Sequence, residues 1–413
     1  MDFSCDYWLG IFPHVFYSKK GDTALLYNTR QGVAIQTENP DFIALIDEMH
    51  SNNNLGVIRI KDSVLKKDNI RQLISESIDK KICFCIPISE TNSRKPVQMM
   101  PVLNLQRDVE KLTAENDRSV GEDIIRYLLN LTIHINTSCL QTCTHCSDYQ
   151  RQFLFCQSNA ENEQLSLEHI EHIFDQIEYA PLHKLNITGG DIFRYPRLKE
   201  MITLLEKYSL HPRFGIHYLN CSNQGYDLLD AYEKDVFVTF PLNEDYHRII
   251  STLLGKGKVK IHFVISSELD YQKAEEIIEK YAIIDYQVLP FFDGNNKAFF
   301  DENVFMSEDD ILATPIKQRI IFANQKMNTN FFGFLIVLPS GFVHATHNTP
   351  AIGNIGQQSI LELLNTEMIR NTAWRRTRDA RPCIECVYQY LCPSPSNYEY
   401  VFGKMNLCSV KND

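Results

Sequence analysis

From Leu131 onward, short apolar and β-branched runs alternate with stretches whose apolar positions recur every three or four residues. The runs lie at 131–136, 184–188, 213–219, 236–240, 259–266 and 285–290, and their length suits strands rather than helices. Between them, Leu167, Ile170, Ile173, Phe174 and Ile177 line one helical face after Ser166, a residue type favoured at helix N-caps, and Leu198, Ile202 and Leu205 line another. Strands alternating with helices imply a parallel sheet of the α/β class, doubly wound or curled as a partial barrel, with reactive ligands at the C-terminal ends of the strands.

The flanking regions carry other patterns. Phe16-Tyr17-Ser18 and Ala24-Leu25-Leu26-Tyr27 flank the turn-like Lys19-Lys20-Gly21-Asp22, which predicts a β-hairpin. Phe42, Ile43, Leu45, Ile46 and Met49 form a helical stripe begun by Asn39-Pro40, Ile70, Leu73, Ile74 and Ile78 form a second, and 82–86 reads as a buried strand. Residues 1–88 are therefore expected to be a small winged-helix-like α+β domain. Residues 89–130, with Pro96 and Pro101 among polar residues, read as a connector with one short helix, and the alternating region spans 131–325. In 326–413 a second hairpin is expected around Pro339-Ser340-Gly341, then a helix at about 358–376, then a cysteine-rich tail.

Composition narrows the class. A chain of 413 residues has room for two or three domains. Lys and Arg total 41 against 52 Asp and Glu, a formal charge of −11, which argues against a nucleic-acid partner. No run of about 18 apolar residues occurs, so no membrane span is expected. The start, MDFSCDYWLGIFPHVFYSKK, lacks a basic segment and has Pro13-His14 in its middle, unlike a signal peptide. The expected location is cytoplasmic. Of the 12 cysteines, Cys139, Cys143, Cys146 and Cys156 fall in one short stretch and Cys383, Cys386, Cys392 and Cys408 close the chain. Such clusters without an export signal point to metal or iron–sulfur ligation rather than disulfides.

Cys139-Leu-Gln-Thr-Cys143-Thr-His-Cys146 reads C-x3-C-x2-C directly after the first strand of the alternating region. Three thiolates at these intervals suit three corners of a 4Fe-4S cube and leave its fourth iron open; a zinc loop with His145 or Cys156 as fourth ligand is the alternative. The motif resembles that of the radical S-adenosylmethionine (radical SAM) superfamily, whose members carry C-x3-C-x-Φ-C after the first strand of a partial (β/α)6 barrel. Gly189-Gly190-Asp191, after the second strand, resembles the family's Gly-Gly-Glu, with Asp in place of Glu. The resemblance implies that these residues bind the methionine amino group of S-adenosylmethionine, and it places Asn220 and Thr239 near the ribose and carboxylate contacts. Cys156 is expected to be a buried structural residue, with an extra ligand or reactive thiol at the pocket as the alternative.

Cys383, Cys386, Cys392 and Cys408 read C-x2-C-x5-C-x15-C, which suits a closed zinc site or a second iron–sulfur cluster. With the preceding hairpin and Ile352-Gly353-Asn354-Ile355, they resemble the C-terminal SPASM domain of radical SAM enzymes that modify peptides and proteins. A complete SPASM domain holds two auxiliary 4Fe-4S clusters. Here Thr346 and Ser396 stand at two positions where the family has cysteine, and residues 326–332 supply no third. One auxiliary cluster is therefore expected. His347 replaces the Asp of sulfatase-maturing relatives, which weighs against that activity.

Residues 1–88 resemble the winged-helix leader-peptide-binding domain of ribosomal peptide pathways, in which an extended leader adds to the hairpin edge beside a helix. Together the resemblances imply a SPASM-type radical SAM peptide maturase (RiPP class), similar to those encoded with Gly-Gly-leader peptides in Bacteroidales. They imply a precursor peptide with its leader as substrate, and a flavodoxin- or ferredoxin-type electron donor. The expected chemistry is hydrogen abstraction by a 5′-deoxyadenosyl radical, followed by a crosslink or related modification. A non-catalytic, peptide-binding partner of a true maturase is the alternative. Neither cysteine set lies within residues 1–88, so that unit is expected to be removable without loss of either site.

Overall fold

The structure, a computed structural model, describes residues 5–101, 124–156, 162–221, 225–255 and 258–410. The N-terminal region contains two three-stranded antiparallel sheets. In one, β1 (Tyr7–Ile11) lies between β5 (Val57–Ile60) and β6 (Cys83–Pro87); in the other, β2 (Val15–Lys20), β3 (Thr23–Asn28) and β4 (Val33–Thr37) follow in order. Helix α1 (Pro40–His50) starts where its sequence says it should: Asn39 Oδ1 accepts the Phe42 N–H at 3.0 Å, and Pro40 occupies the first turn. Short α2 (Asp62–Leu65) and longer α3 (Asp68–Asp79) complete the region, and Leu9, Leu26, Phe42, Ile46, Ile58 and Ile74 share its core. The expected hairpin, both helices and the 82–86 strand are present. The winged-helix-like expectation is nonetheless incomplete, because β1, β4 and β5 were not foreseen. These strands have only four or five residues, and β1 is held by partners some 50 and 75 residues further along the chain.

The alternating region forms β7 (Asn130–His134), β8 (Lys184–Thr188), β9 (Arg213–His217), β10 (Glu233–Thr239), β11 (Val259–Ile265) and β12 (Tyr286–Pro290). Each pairs in parallel with the next, and the order lacks the reversal of a doubly wound sheet. Period-two alternation assigns the faces. Leu131, Ile133, Leu185, Ile187, Phe214 and Val236 pack with residues of α5 (Leu167–Ile177) and α6 (Leu198–Lys207) in one core. The alternate residues Thr132, His134, Thr188 and His217 are polar yet buried, so over β7–β9 the opposite face is polar, while on β10 and β11 it carries the apolar Phe237 and Val264.

The sheet does not close. Instead β13 (Phe334–Val337) pairs in parallel with β7, and β14 (Phe342–His344) and β15 (Gly353–Asn354) follow, giving nine strands in one open sheet. The second hairpin thus extends the alternating region's sheet. The helix expected at 358–376 ends sooner, as Ile360–Arg370, because Asn371 is left-handed at φ 54°. Of the connector, residues 102–123 lie outside the described residues, and a 3-10 turn occupies Ile124–Tyr127. Among the described residues, no helix is long and apolar enough to cross a membrane.

The N-terminal unit also packs against the cysteine-rich tail. Phe16, Leu25 and Tyr27 of the β2–β3–β4 sheet share a core with Cys386, Val387, Tyr388, Leu391 and Cys392. Tyr388 Oη donates to Gln36 Oε1 at 2.8 Å, and Lys20 Nζ donates to Gln389 Oε1 at 2.8 Å. Residues 1–88 therefore pack against the segment that carries Cys386 and Cys392, a contact that bears on the expectation that they are removable without loss of that set.

Candidate functional site

After β7 the chain runs into Cys139, Cys143 and Cys146, where α4 (Cys146–Gln152) begins. The turn after β8 lies directly against this loop. The Ile135 N–H donates to Thr188 O at 2.8 Å, Gly190 N–H to Asn136 O at 2.9 Å, and Asp191 N–H to Ser138 O at 2.6 Å. Asn136 Nδ2 returns a bond to Asp191 O at 2.8 Å. A Cβ at Gly189 would stand 2.5 Å from Asn136 Oδ1, and one at Gly190 would stand 2.5 Å from Ser138 O. The glycines are thus required for the two loops to meet. Asp191 is 2 % exposed, and its Oδ1 accepts the Phe193 N–H at 3.1 Å, capping the turn beyond it.

Cys143, Cys146 and Cys156 converge within an aromatic cluster that includes Tyr149, Phe155, Phe237 and Phe291. The Cys146 thiol bonds with Cys143, which favours its thiolate, but contact with Cys156 and burial prevail and push its pKa up to about 12. Its bond to Cys146, together with burial, pushes Cys143 upward as well. Burial raises Cys139, whose sulfur receives the Gln141 N–H at 3.4 Å and Asn220 Nδ2 at 3.9 Å. Loading such a set with metal therefore releases protons. Cys156, 3 % exposed with φ 58°, is buried as expected but belongs to the thiol group. Among the described residues, no three His, Cys, Asp or Glu side chains are close enough to hold a single metal ion.

A cavity of about 510 Å³ opens beside this loop, at the C-terminal ends of the strands. Cys143, His145, Tyr149, His217, Thr239 and Asp293 are among its lining residues. Of the expected cofactor contacts, Thr239 lines it and bonds His217 Nε2 at 3.0 Å, while Asn220 Oδ1 accepts Gln141 Nε2 at 3.1 Å next to the Cys139 sulfur. Gly189, Gly190 and Asp191 support the cysteine loop. His217 was missed in the sequence. Burial lowers its pKa to about 4, which keeps a neutral imidazole at the cavity wall. A lone His in a strand gives no local signal; only the strand's C-terminal position marks it.

The second set converges too. Cys383, Cys386, Cys392 and Cys408 all line one small cavity of about 20 Å³, with Met306, Ile311 and Arg378. Burial raises the Cys383 thiol and pushes Cys392 up to about 12. Four thiols under apolar cover, with a guanidinium beside them, fit an anionic four-thiolate group. Arg378 was also missed, although Ser396-x-x-Glu399 is a capping-box signature and Glu399 is its partner. Thr346 and Ser396, the positions without the family's cysteines, come together with Asn330, Phe153 and Tyr398 around a separate cavity of about 250 Å³. There Thr346 Oγ1 donates to Asn397 Oδ1 at 2.7 Å. His347 lies elsewhere, with its Nε2 3.3 Å from that of buried His134.

No protein-family model and no curated protein matches the chain. Among solved structures, SuiB of Streptococcus suis bound to S-adenosylmethionine is similar at 11% identity, over 98% of this chain and 99% of that one, with a TM-score of 0.49. SuiB bound to precursor peptide SuiA gives 11% identity, the same coverage and a TM-score of 0.43. BtrN in complex with AdoMet and 2-DOIA gives 12% identity over 59% of this chain and 85% of that one, with a TM-score of 0.29. Every one of these TM-scores is below 0.5, so the functional reading rests on the residues of the site and not on these likenesses.

Proposed function

We propose that the chain is a radical SAM enzyme that modifies a ribosomally made precursor peptide. The observation that carries this reading is the joint between the C-x3-C-x2-C loop and Gly189-Gly190, backbone against backbone at the strand ends and next to a cavity of about 510 Å³. Cys139, Cys143 and Cys146 would hold a 4Fe-4S cluster, and the cavity beside them would take S-adenosylmethionine. When bound, the pair supplies a 5′-deoxyadenosyl radical that abstracts hydrogen from substrate. The chain's own part is positioning and exclusion of water: Gly189 and Gly190 fix the loop, Thr239 and neutral His217 offer a hydrogen-bonding wall, and Tyr149, Phe155 and Phe291 keep the thiol side dry. Cys383, Cys386, Cys392 and Cys408 would hold one auxiliary cluster. The β2–β3–β4 sheet beside α1 is the proposed leader-reading edge, an extended peptide adding there as a further strand.

The non-catalytic reading keeps one observation in its favour. The Asp191 carboxylate already caps the Phe193 N–H, unlike a carboxylate reserved for a ligand's ammonium. Anaerobic reconstitution tests the two-cluster assignment, which requires about eight iron and eight sulfide per chain. About twelve iron would restore a second auxiliary cluster, and stoichiometric zinc at either set would reject the assignment.

A further inference from the structure

Arg378 directs its guanidinium at a cysteine sulfur, and it is nearly sealed from water. The Arg378–Glu399 side chains are 6% and 2% exposed. Arg378 Nη1 lies 3.8 Å from Cys383 Sγ and donates to Met405 O at 2.9 Å. Its Nε donates to Pro393 O at 2.5 Å, and its Nη2 to Glu399 Oε1 at 2.7 Å. Glu399 is itself fixed, since its Oε2 accepts the Ser396 N–H at 2.8 Å and the Ser396 hydroxyl at 2.6 Å. The guanidinium thus has Nη1 on the thiol and Nη2 on a carboxylate that Ser396 holds in place. A buried charge held this tightly is costly for stability alone, because an apolar pair of similar volume often serves as well. Its position against the thiol set calls for a different explanation.

We propose that Arg378 is a positioning residue that sets the reduction potential of the auxiliary iron–sulfur cluster, with Glu399 as its counterweight. The proposal rests on the assignment of a cluster to Cys383, Cys386, Cys392 and Cys408. Four thiolates give such a cluster net negative charge, and one-electron reduction adds another. Hydrogen bonds to the sulfurs and nearby charge set the potential. Arg378 stays cationic at any working pH, and its nearer, positive edge favours the reduced form. The carboxylate bonds Nη2 and not the Nη1 that faces Cys383 Sγ, so it stands behind the guanidinium's own contact and opposes it more weakly. In a dry site neither charge is screened as it would be in water.

The test uses the full chain with Cys139, Cys143 and Cys146 all changed to Ala, so that the tail cluster alone is seen. Iron and zinc are counted first, and the midpoint potential is then measured by an EPR-monitored redox titration. Zinc, or no metal, in this background rejects the cluster assignment itself. With a cluster present, Arg378→Gln must lower the potential and Glu399→Gln must raise it. Arg378→Gln/Glu399→Gln, which leaves no buried charge unpaired, must also lie below the parent, and it keeps the test decisive where Arg378→Gln does not fold. Arg378→Lys must lie between parent and Arg378→Gln. Opposite shifts are not produced by loosened packing, which would move both single variants the same way. Unchanged potentials, or shifts of one sign for Arg378→Gln and Glu399→Gln, overturn the role of Arg378 while leaving the cluster in place.

Discussion

Replacing Gly190 by Ala places a Cβ 2.5 Å from Ser138 O and 2.8 Å from the carbonyl carbons of Thr137 and Ser138. An ordinary contact begins near 3.4 Å, so the methyl group intrudes by about 0.9 Å on atoms that are all backbone. No side chain can turn aside to admit it. The same Ser138 carbonyl accepts the Asp191 N–H at 2.6 Å, and Cys139 is the next residue. The loop must move, or the bond must break. Overpacking of this kind costs about 1–3 kcal/mol, which predicts a fall of a few degrees in Tm and weaker iron retention at the first loop. Gly255→Ala is the control: its nearest neighbours would be 3.6 Å away and its φ is −82°, so stability is expected to hold or rise slightly. Differential scanning calorimetry and iron analysis of both variants report the two effects. Wild-type Tm and iron content in Gly190→Ala would refute the claim that the Gly189-Gly190 turn holds the cysteine loop in place.

Three further outcomes rest on named contacts. Glu367 accepts bonds from the Thr372, Ala373 and Trp374 N–H groups and the Thr372 hydroxyl beyond the end of the Ile360–Arg370 helix, so Glu367→Ala should cost about 3 kcal/mol or more in urea unfolding and Glu367→Gln clearly less. Burial holds His217 and His347 near a pKa of about 4, below the ordinary imidazole value, so the unfolded chain takes up protons first as the pH falls. Stability is then full above about pH 6.5 and drops towards pH 4, by at most about 2 kcal/mol per histidine between pH 7 and 5; His217→Asn should flatten the profile, and an unchanged slope would contradict it. A chain lacking residues 1–88 loses Phe16, Leu25 and Tyr27 from the cover of Cys386 and Cys392, so it should lose iron from the tail set while the first loop keeps its own, as separate counts in cysteine-variant backgrounds would show.

The sequence made legible whatever one element declares by itself. The strand at 184–188 and the helix beginning at Pro40 match their structural bounds because alternation and an Asn-Pro cap are local signals. The loop cysteines and Gly189-Gly190 were legible for the same reason: spacing is a property of the chain. Pairings between distant segments were not. Nothing in Phe334–Val337 says that it will lie beside β7 rather than form a separate hairpin, and nothing in Tyr7–Ile11 says that it will be a central strand. The same limit hid the N-terminal sheet's hold on the tail, which depends on residues more than 350 positions apart, such as Gln36 and Tyr388. The partners of Arg378 and His217 are brought near only by folding, so their residue type alone could not mark them.

If the chain works as proposed, the Cys139–Cys143–Cys146 loop supports reductive cleavage of S-adenosylmethionine. The direct measurement is release of 5′-deoxyadenosine by the reconstituted chain with a strong reductant, in wild type and in Cys143→Ala, each with and without a candidate precursor peptide. Wild type should release it and Cys143→Ala should not, because two thiolates cannot hold an open-iron cube. S-adenosylmethionine bound by an iron-loaded wild type yet never cleaved, even with peptide present, would contradict the proposal and leave a peptide-binding partner in its place.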